Sequence, residues 1–418
     1  ALSVAAGKTA AERYASNSVL SQGRWVKIGI TEDGVYRLTA ADLRWMGFND
    51  PSRVKLYGYG GHVQDEVIDA DTDFDDLEEV PLYRDERGLL FFGKGLISWS
   101  ATDRRGRATH RVNTFAKQAC YFLTEGDSPR TIEKAAVSGS PQKNLDYTPA
   151  NVLYKKEEYA WYQSGRNFYE SANYASSNSR TYQLPVVDPV ASAGGSLKVS
   201  FTAHTTKDEG DSYVTPTVDG VKLSAMRISW SGEYDAAKEG TQTYTLNTLH
   251  EGTTGTQVTL VSTAGVDARL GYLELCYRRQ LKMRDAFLYI RHTETAPSNL
   301  VIDANGRSGL KLWCLGRRGN PMTEYQGTWS GSTYTVPVSD PTLEYVAVDV
   351  NADFPSPSYM GEVSNQNLHA TSATDMVIII PASGKLYAQA ERLAEAHRSV
   401  DGLRVQIVRA DQIYNEFS

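Results

Sequence analysis

The chain has 418 residues, of which 41% are hydrophobic and 22% charged, an ordinary globular composition. Lysine and arginine number 43 and aspartate and glutamate 50, which gives a formal net charge of −7. Such a balance argues against a broad basic face for nucleic acid. No run of about 18 apolar residues predicts a transmembrane segment. Three cysteines without a Cys-x-x-Cys pair exclude a disulfide framework and a cysteine zinc site.

Neither end of the sequence identifies a cellular compartment by itself. The chain begins at Ala1, and residues 1–24, which we expect to form a loose N-terminal tail or a short helix, contain no basic-plus-apolar signal segment. The protein is therefore expected to be either cytosolic or exported with its signal peptide removed. Residues 411–418 break off within a helix-like pattern, which we interpret as a truncated domain.

Residues 25–130 are predicted to form a β-rich N-terminal domain. Two apolar runs flank Asp33-Gly34, a typical β-hairpin signal because glycine accepts the positive φ of the turn. Thr39 and Asp42 have the spacing of a capping box, which predicts a short helix after the second strand.

The central part of the sequence predicts β-sandwiches. Residues 131–154 contain Pro141 and Pro149 among polar residues and are interpreted as a linker. Over residues 155–350, short strand patterns alternate with turn residues, which is typical of jelly-roll-like sandwiches. The pattern leaves open whether this region holds one sandwich or two.

The pattern changes at residue 375. A continuous apolar run at 376–380 predicts a strand buried on both faces, and residues 385–399 have the apolar spacing of an amphipathic helix. A second apolar strand follows at 403–408. Strand, helix and strand together predict the first βαβ unit of an α/β domain in residues 375–418.

The connecting segment, residues 351–374, has no regular pattern of its own. We expect it to lie across the sandwich and to set how the α/β domain docks. Hydrogen bonds from Asn365, Gln366, Asn367 and His369 are expected to hold it in place. A flexible tether is the alternative.

One acidic stretch is a candidate metal site. Asp69, Asp71 and Asp73 alternate as oxygen ligands do at the start of a calcium loop. Phe74, however, stands where such a loop needs glycine, so a solvated acidic loop is the alternative. No other cofactor is predicted.

Three further features allow a functional and a structural interpretation. The aromatic stretch between Tyr154 and Tyr174 either stacks on sugars or packs inside the fold. The basic cluster from Arg104 to Arg111 is either a solvated loop or a contact for an anion such as lipopolysaccharide. The cysteines lie between apolar neighbours, as buried structural thiols do; they are Cys120, Cys276 and Cys314.

These motifs, taken in order, resemble the gingipain family of cysteine peptidases and most of all its type IX secretion sortases. The C-terminal similarity begins at Asp375-Met-Val-Ile-Ile-Ile and continues at 394–405 and 413–418. Upstream motifs agree in their order, at residues 25–38, 75–79, 89–95, 164–166, 272–281 and 365–369. Asn167-Phe168 departs from the charged residue and tryptophan usual in the family.

The resemblance implies a mainly β chain that leads into a truncated, caspase-like α/β peptidase domain. It also implies export, with a signal peptide, to the cell surface or outer membrane of a Gram-negative bacterium. In the family a histidine base and a cysteine nucleophile form the catalytic dyad. None of the 7 histidines here is followed by the family's glycine, so no catalytic residue is assigned.

The expected function is therefore that of a non-catalytic N-terminal region, which positions or restrains a downstream catalytic domain. The implied partners are that domain, an outer-membrane or secretion-system component, and a surface glycan. The full-length protein would cleave peptide bonds and, as a sortase, remove C-terminal signals and transfer the product to the glycan. The alternative is a cell-surface carbohydrate-binding or adhesin β-sandwich protein.

Overall fold

A computed structural model describes residues 14–64, 66, 75–103, 105–162, 165, 167–190, 192–316 and 321–417. Its fold is mainly β, as the sequence predicts, and its strands group into an N-terminal domain, two sandwiches and a C-terminal βαβ unit. Within the part of the chain so described, no helix is both long and apolar enough to cross a membrane.

The N-terminal domain is built from two packed sheets. Its strands are β1 (Trp25–Ile30), β2 (Gly34–Thr39), β3 (Val54–Tyr57), β4 (Glu79–Val80), β5 (Tyr83–Asp85), β6 (Gly88–Gly93), β7 (Ile97–Trp99), β8 (His110–Val112) and β9 (Ala119–Glu125). One sheet contains the order β1-β9-β3-β4, the other is β2-β6-β5, and β7 pairs with β8 separately. Ile28, Leu38 and Phe91 belong to the core between the two sheets.

The predicted capping box is confirmed. Helix α1 (Ala40–Trp45) follows Thr39, whose Oγ1 accepts a hydrogen bond from Asp42 N–H at 3.1 Å. The Asp42 carboxylate in turn accepts from Thr39 N–H at 2.9 Å. Short 3-10 turns lie at Val19–Ser21 and Pro51–Arg53.

The predicted hairpin at Asp33-Gly34 is wrong, because β1 and β2 belong to different sheets. Strand β1 is hydrogen-bonded along both edges by other strands, so no edge is left for β2. The turn instead crosses from one sheet to the other, and Asp33 Oδ1 accepts a hydrogen bond from Gly95 N–H at 2.6 Å. A side chain at Gly95 would come within 2.6 Å of the Glu32 backbone, so the crossing needs glycine there.

Residues 131–154, interpreted above as a linker, instead contribute three strands. They are β10 (Glu133–Lys134), β11 (Lys143–Leu145) and β12 (Tyr147–Lys155). The first two pair with strands of the second sandwich, and β12 pairs with the longest strand of the first.

The first sandwich has its own core. Its remaining strands are β13 (Ser179–Val186), β14 (Gly195–His204), β15 (Ser212–Val218), β16 (Val221–Lys222), β17 (Met226–Ile228), β18 (Lys238–Leu246), β19 (Gly252–Ser262) and β20 (Asp267–Gln280). Sheet β12-β20-β14-β18 faces sheet β13-β19-β15-β16, and β17 pairs with β15. Leu197, Val199 and Phe201, which alternate with polar residues along β14, are fully buried in this core.

The second sandwich has a separate core, so the region holds two sandwiches. Its strands are β21 (Phe287–Ile290), β22 (Ser298–Asp303), β23 (Leu310–Cys314), β24 (Thr323–Tyr325), β25 (Thr328–Ser330), β26 (Thr333–Val338) and β27 (Tyr345–Asp349). The sheets are β10-β24-β23-β27-β21 and β11-β22-β26-β25. Its Trp313 and Val346 pack against Val35 and Phe92 of the N-terminal domain, which joins the two units.

The C-terminal part returns to the N-terminal domain. Strand β28 (Ser358–Val363) pairs antiparallel with β1. The βαβ unit follows, with β29 (Met376–Ile380), α2 (Tyr387–Val400), β30 (Val405–Arg409) and a last helix, α3 (Ala410–Phe417). Strands β29 and β30 are parallel, as predicted. The connecting segment therefore lies across the N-terminal domain and not, as expected, across the sandwich.

Candidate docking site for the βαβ unit

The connecting segment is fixed by the asparagines that the sequence singled out. Asn365 Nδ2 donates to the carbonyl oxygens of Leu20 at 3.1 Å and Gly23 at 2.9 Å. Asn367 Oδ1 accepts a hydrogen bond from Ser18 N–H at 2.9 Å. These bonds satisfy backbone groups of the N-terminal domain, so they complement the ladder between β28 and β1.

His369 lies between two carboxylates of different parts of the fold. Its Nδ1 is 2.7 Å from Oε2 of Glu416, and its Nε2 is 3.2 Å from Oδ1 of Asp75. The imidazole is 3% exposed. Both ring nitrogens therefore lie within hydrogen-bond distance of a carboxylate oxygen.

Glu416, on α3, is the centre of this arrangement. Its side chain is 0% exposed, and its oxygens accept hydrogen bonds from Leu368 N–H at 2.9 Å and Gln366 Nε2 at 2.9 Å. A buried carboxylate is tolerated when charge and hydrogen-bond partners surround it. We call Gln366, Leu368, His369, Glu416 and Asp75 the clamp.

Helix α3 makes further contacts with the N-terminal domain on either side of the clamp. Lys27 Nζ lies 2.8 Å from Oδ1 of Asn415, and Gln64 Nε2 donates to the Phe417 carbonyl oxygen at 2.6 Å. The Phe417 ring stacks on the His369 imidazole with centroids 4.6 Å apart. The side chains of Lys27, Gln64 and His369 therefore all contact helix α3.

One face of the βαβ unit is open. Helix α2 packs against β29 and β30, burying Ala390 and Ala394. Val377 and Ile379 alternate to the other side of β29 and are 53% and 61% exposed. Parallel sheets normally have both faces covered, so this face is an apolar docking surface.

An exposed ion pair joins the two residues that directly precede the parallel strands β29 and β30. Arg404 Nε and Nη2 lie 2.8 Å and 2.7 Å from the carboxylate oxygens of Asp375. Hydrogen bonds from the Arg404 side chain and backbone hold the pKa of Asp375 well below its usual range. The pair aligns the first residues of β29 and β30 without contributing a buried charge.

The candidate metal ligands Asp69, Asp71 and Asp73 lie outside the described residues, so calcium binding there stays a prediction. Among the residues that the structure does describe, no group of three or more His, Cys, Asp or Glu side chains could hold a metal ion.

The aromatic stretch has both interior and surface members. Tyr174 is fully buried, and Tyr154 donates a hydrogen bond to the buried Glu170 at 2.8 Å. Tyr162, by contrast, is 56% exposed. Most of the stretch therefore packs in the first sandwich, and Tyr162 is its most exposed member.

The basic cluster and the cysteines are mainly structural. Arg107 pairs with Asp103 at 2.8 Å, and His110 Nδ1 lies 2.6 Å from Glu274 of the first sandwich. Cys276 and Cys314 are buried as expected, whereas Cys120 is half-buried. Burial raises the pKa of Cys276 to about 11, which disfavours the thiolate that a nucleophile needs.

Sequence reasoning missed Glu416, Asp75 and Lys27 as parts of the site. A glutamate next to Phe417 in a short amphipathic helix is usually solvated, and nothing local indicates that it is buried. The polar residues at 365–369 were the feature of the sequence that indicated this site, because four hydrogen-bonding side chains there need partners.

Comparisons with known proteins agree with this architecture. Residues 369–418 match the sequence model of Peptidase family C25. The chain is similar to the crystal structure of dimeric latent PorU from Porphyromonas gingivalis, with 26% identity and a TM-score of 0.83. The match covers 97% of this chain and 39% of that one, so the chain spans well under half the length of PorU.

The other solved structures add no argument. The structure of Eiger TNF from S. frugiperda has 15% identity and a TM-score of 0.17, over 32% of this chain and 93% of its own. No curated protein matches the sequence. Residues 369–418 therefore match the model of peptidase family C25, and the chain as a whole resembles PorU in sequence and fold.

Proposed function

We propose that this chain is the non-catalytic N-terminal region of a secreted or cell-surface cysteine peptidase or sortase of the gingipain type. In this proposal its β domains position or restrain a catalytic domain that continues from the βαβ unit. The observation that carries the proposal is the clamp, in which a fully buried glutamate of the family C25 segment is bound by the connecting segment.

The restraint has two physical components. Strand β28 joins the N-terminal sheet through β1, so the connecting segment cannot swing freely. The clamp then fixes α3, which directly follows β30. If β29 and β30 are part of a larger sheet, the N-terminal domain would therefore fix the orientation of that whole sheet.

The open apolar face supports the same proposal. Val377 and Ile379 need a cover, and further elements of an α/β peptidase domain would supply it. Such a domain would contain the His–Cys dyad, in which the histidine generates the attacking thiolate. The PorU crystal structure is a latent form, which supports restraint as well as positioning as the proposed role of the clamp.

The wider roles in the proposal are those that the sequence resemblance implies. They are removal of C-terminal signals, transfer to a surface glycan, and contact with an outer-membrane or secretion component. The first check is the gene sequence downstream of residue 418. A His-Gly pair followed by a cysteine nucleophile supports the proposal, whereas another β-sandwich contradicts it.

The decisive experiment uses the protein with that downstream region. Glu416→Gln should separate thermal unfolding into domain transitions and change the hydrolysis of fluorogenic peptides. Activity should fall if the clamp positions the catalytic domain and rise if it restrains it. Glu395→Gln is the matched control, because Glu395 is an exposed helical glutamate. Unchanged melting together with unchanged hydrolysis would contradict the proposal.

A carbohydrate-binding or adhesin role is the second candidate, favoured by one observation. Tyr162 and Tyr234 are 56% and 89% exposed on the first sandwich, and Tyr162 Oη donates to the Tyr234 carbonyl oxygen at 3.3 Å. Exposed aromatic rings can stack on sugars. Saturable glycan binding that Tyr234→Ala abolishes, in a protein without a downstream dyad, would favour this role.

A further inference from the structure

A cavity of about 390 Å³ lies where the N-terminal domain and both sandwiches meet. The N-terminal domain contributes Phe92 and Trp99, the first sandwich Asn151 and Arg279, and the second Tyr289. The volume lies in the range of small-molecule sites, which are about 300–1,000 Å³. Aromatic side chains form part of its wall, and charged or ionisable side chains form much of the rest; the latter are Asp33, His62, Arg279, Asp285, Arg291 and Glu344.

Most charged groups in the cavity already have partners. Asp33 accepts the hydrogen bond from Gly95 N–H at 2.6 Å. Arg291 donates to the Trp99 carbonyl oxygen at 3.4 Å and lies 3.8 Å from Glu344. These groups are therefore structural and do not call for a ligand.

Arg279 differs from Asp33 and Arg291 in its hydrogen bonding. Its Nε and Nη2 are buried, and neither has a hydrogen-bond partner among the residues that the structure describes. Oδ1 of Asn151, in the same cavity wall, is also buried without a partner there. Buried polar groups are nearly always hydrogen-bonded, so these atoms indicate partners from outside the chain.

The geometry of the two unpaired nitrogens selects the partner. Nε and Nη2 lie on one edge of the planar guanidinium, and their two N–H groups match the two oxygens of a carboxylate. Asn151 Oδ1 needs a donor, such as a hydroxyl or an amine. Phe92, Trp99 and Tyr289 provide a surface for an apolar or aromatic body.

We propose that this junction cavity binds a small carboxylic acid that has an aromatic or apolar body and a hydrogen-bond donor. Arg279 holds the carboxylate, the aromatic walls hold the body, and Asn151 accepts from the donor. Because all three β units line the cavity, the ligand would stabilise their mutual arrangement.

The test is calorimetric titration of the chain with 4-hydroxyphenylacetate, which has all three features. Saturable binding is expected, and Arg279→Gln should weaken it at least about tenfold, since charge-assisted bidentate hydrogen bonds are strong. Arg278→Gln is the matched control, because the neighbouring Arg278 lies over the Tyr147 ring, 4.9 Å from its centroid, and does not line the cavity. The affinity of the Arg278→Gln variant for 4-hydroxyphenylacetate should equal that of the wild type.

Two further measurements make the outcome decisive. The neutral amide 4-hydroxyphenylacetamide should not bind to the wild type. The Arg279→Lys variant, which keeps the positive charge but lacks the two parallel N–H donors of the guanidinium, should bind 4-hydroxyphenylacetate more weakly than the wild type does. All variants are compared only after circular dichroism shows the wild-type fold. No saturable binding, equal binding by Arg279→Gln, or binding of inorganic phosphate in place of the aromatic acid would overturn the proposal.

Discussion

Nδ1 of His369 lies 2.7 Å from Oε2 of Glu416, and this contact joins the connecting segment to the last helix of the chain. The other ring nitrogen faces Asp75 of the N-terminal domain. The His369 side chain thus links three parts of the fold, and each contact restricts the motion of the βαβ unit relative to the N-terminal domain. The consequence is a defined orientation of the family C25 segment.

Replacing His369 by glutamine should loosen this orientation. Glu416 would stay buried while it loses a hydrogen-bond partner, and leaving a buried polar group unsatisfied costs about 1–3 kcal/mol. We expect a lower melting temperature and faster amide exchange in α3, measured by calorimetry and hydrogen exchange. His397→Gln is the matched control, because His397 pairs with Asp401 on the exposed end of α2. Equal effects of the two substitutions would contradict the role of the clamp.

The open face of the βαβ unit predicts unequal local stability. Strand β14 is paired on both edges, and its apolar side chains are fully buried. Among the residues that the structure describes, strand β29 pairs with β30 alone, and Val377 and Ile379 are exposed. Amides of residues 376–380 should therefore exchange at least about tenfold faster than those of 197–203. Equal or slower exchange at 376–380 would contradict this account.

Local signals in the sequence predicted local structure well. The capping box of Thr39 and Asp42 forms because both partners lie within one helical turn. The βαβ unit is predictable for a similar reason, since strand, helix and strand follow each other within 35 residues of chain and have distinct periodicities.

Long-range pairing could not be predicted in the same way. The Asp33-Gly34 signal is real, but both edges of β1 are taken by strands that come much later in the chain. The polar side chains at 365–369 were correctly expected to hold the connecting segment, yet the surface they bind was not. That surface is decided by β28 pairing with β1, which no local pattern shows.

A buried arginine couples the N-terminal domain to the second sandwich. Arg37 Nη1 lies 2.8 Å from Asp85, and Nη2 donates to the Val350 carbonyl oxygen at 3.0 Å. Arg37→Met should lower the free energy of unfolding by about 2 kcal/mol, because both acceptors lose a charged donor. Urea unfolding measures this loss. Arg53→Met, at an exposed arginine that pairs with the exposed Asp127, should cost much less.

The first sandwich contains a buried carboxylate with three donors. Glu170 accepts hydrogen bonds from Tyr154 at 2.8 Å and Tyr182 at 2.7 Å, and Lys156 lies 3.0 Å away. Burial raises the pKa of Glu170, but these donors outweigh it, so the pKa lies below its usual value. The ionised form is therefore favoured by folding.

This carboxylate predicts a pH-dependent loss of stability. Because its pKa is lower in the folded state, the stabilisation is complete above the unfolded value of about 4.3 and is lost as the pH falls through the folded value. Glu170→Gln should lower the free energy of unfolding by about 2 kcal/mol at pH 7, since hydrogen bonds to a charged group are lost. The difference from the wild type should shrink as the pH falls from about 6 to 3. Urea unfolding at several pH values measures it, and Glu157→Gln, at an exposed neighbour that pairs with Lys155, should show little difference at any pH. A constant difference between wild type and Glu170→Gln across that range would mean that Glu170 acts by packing and not by charge.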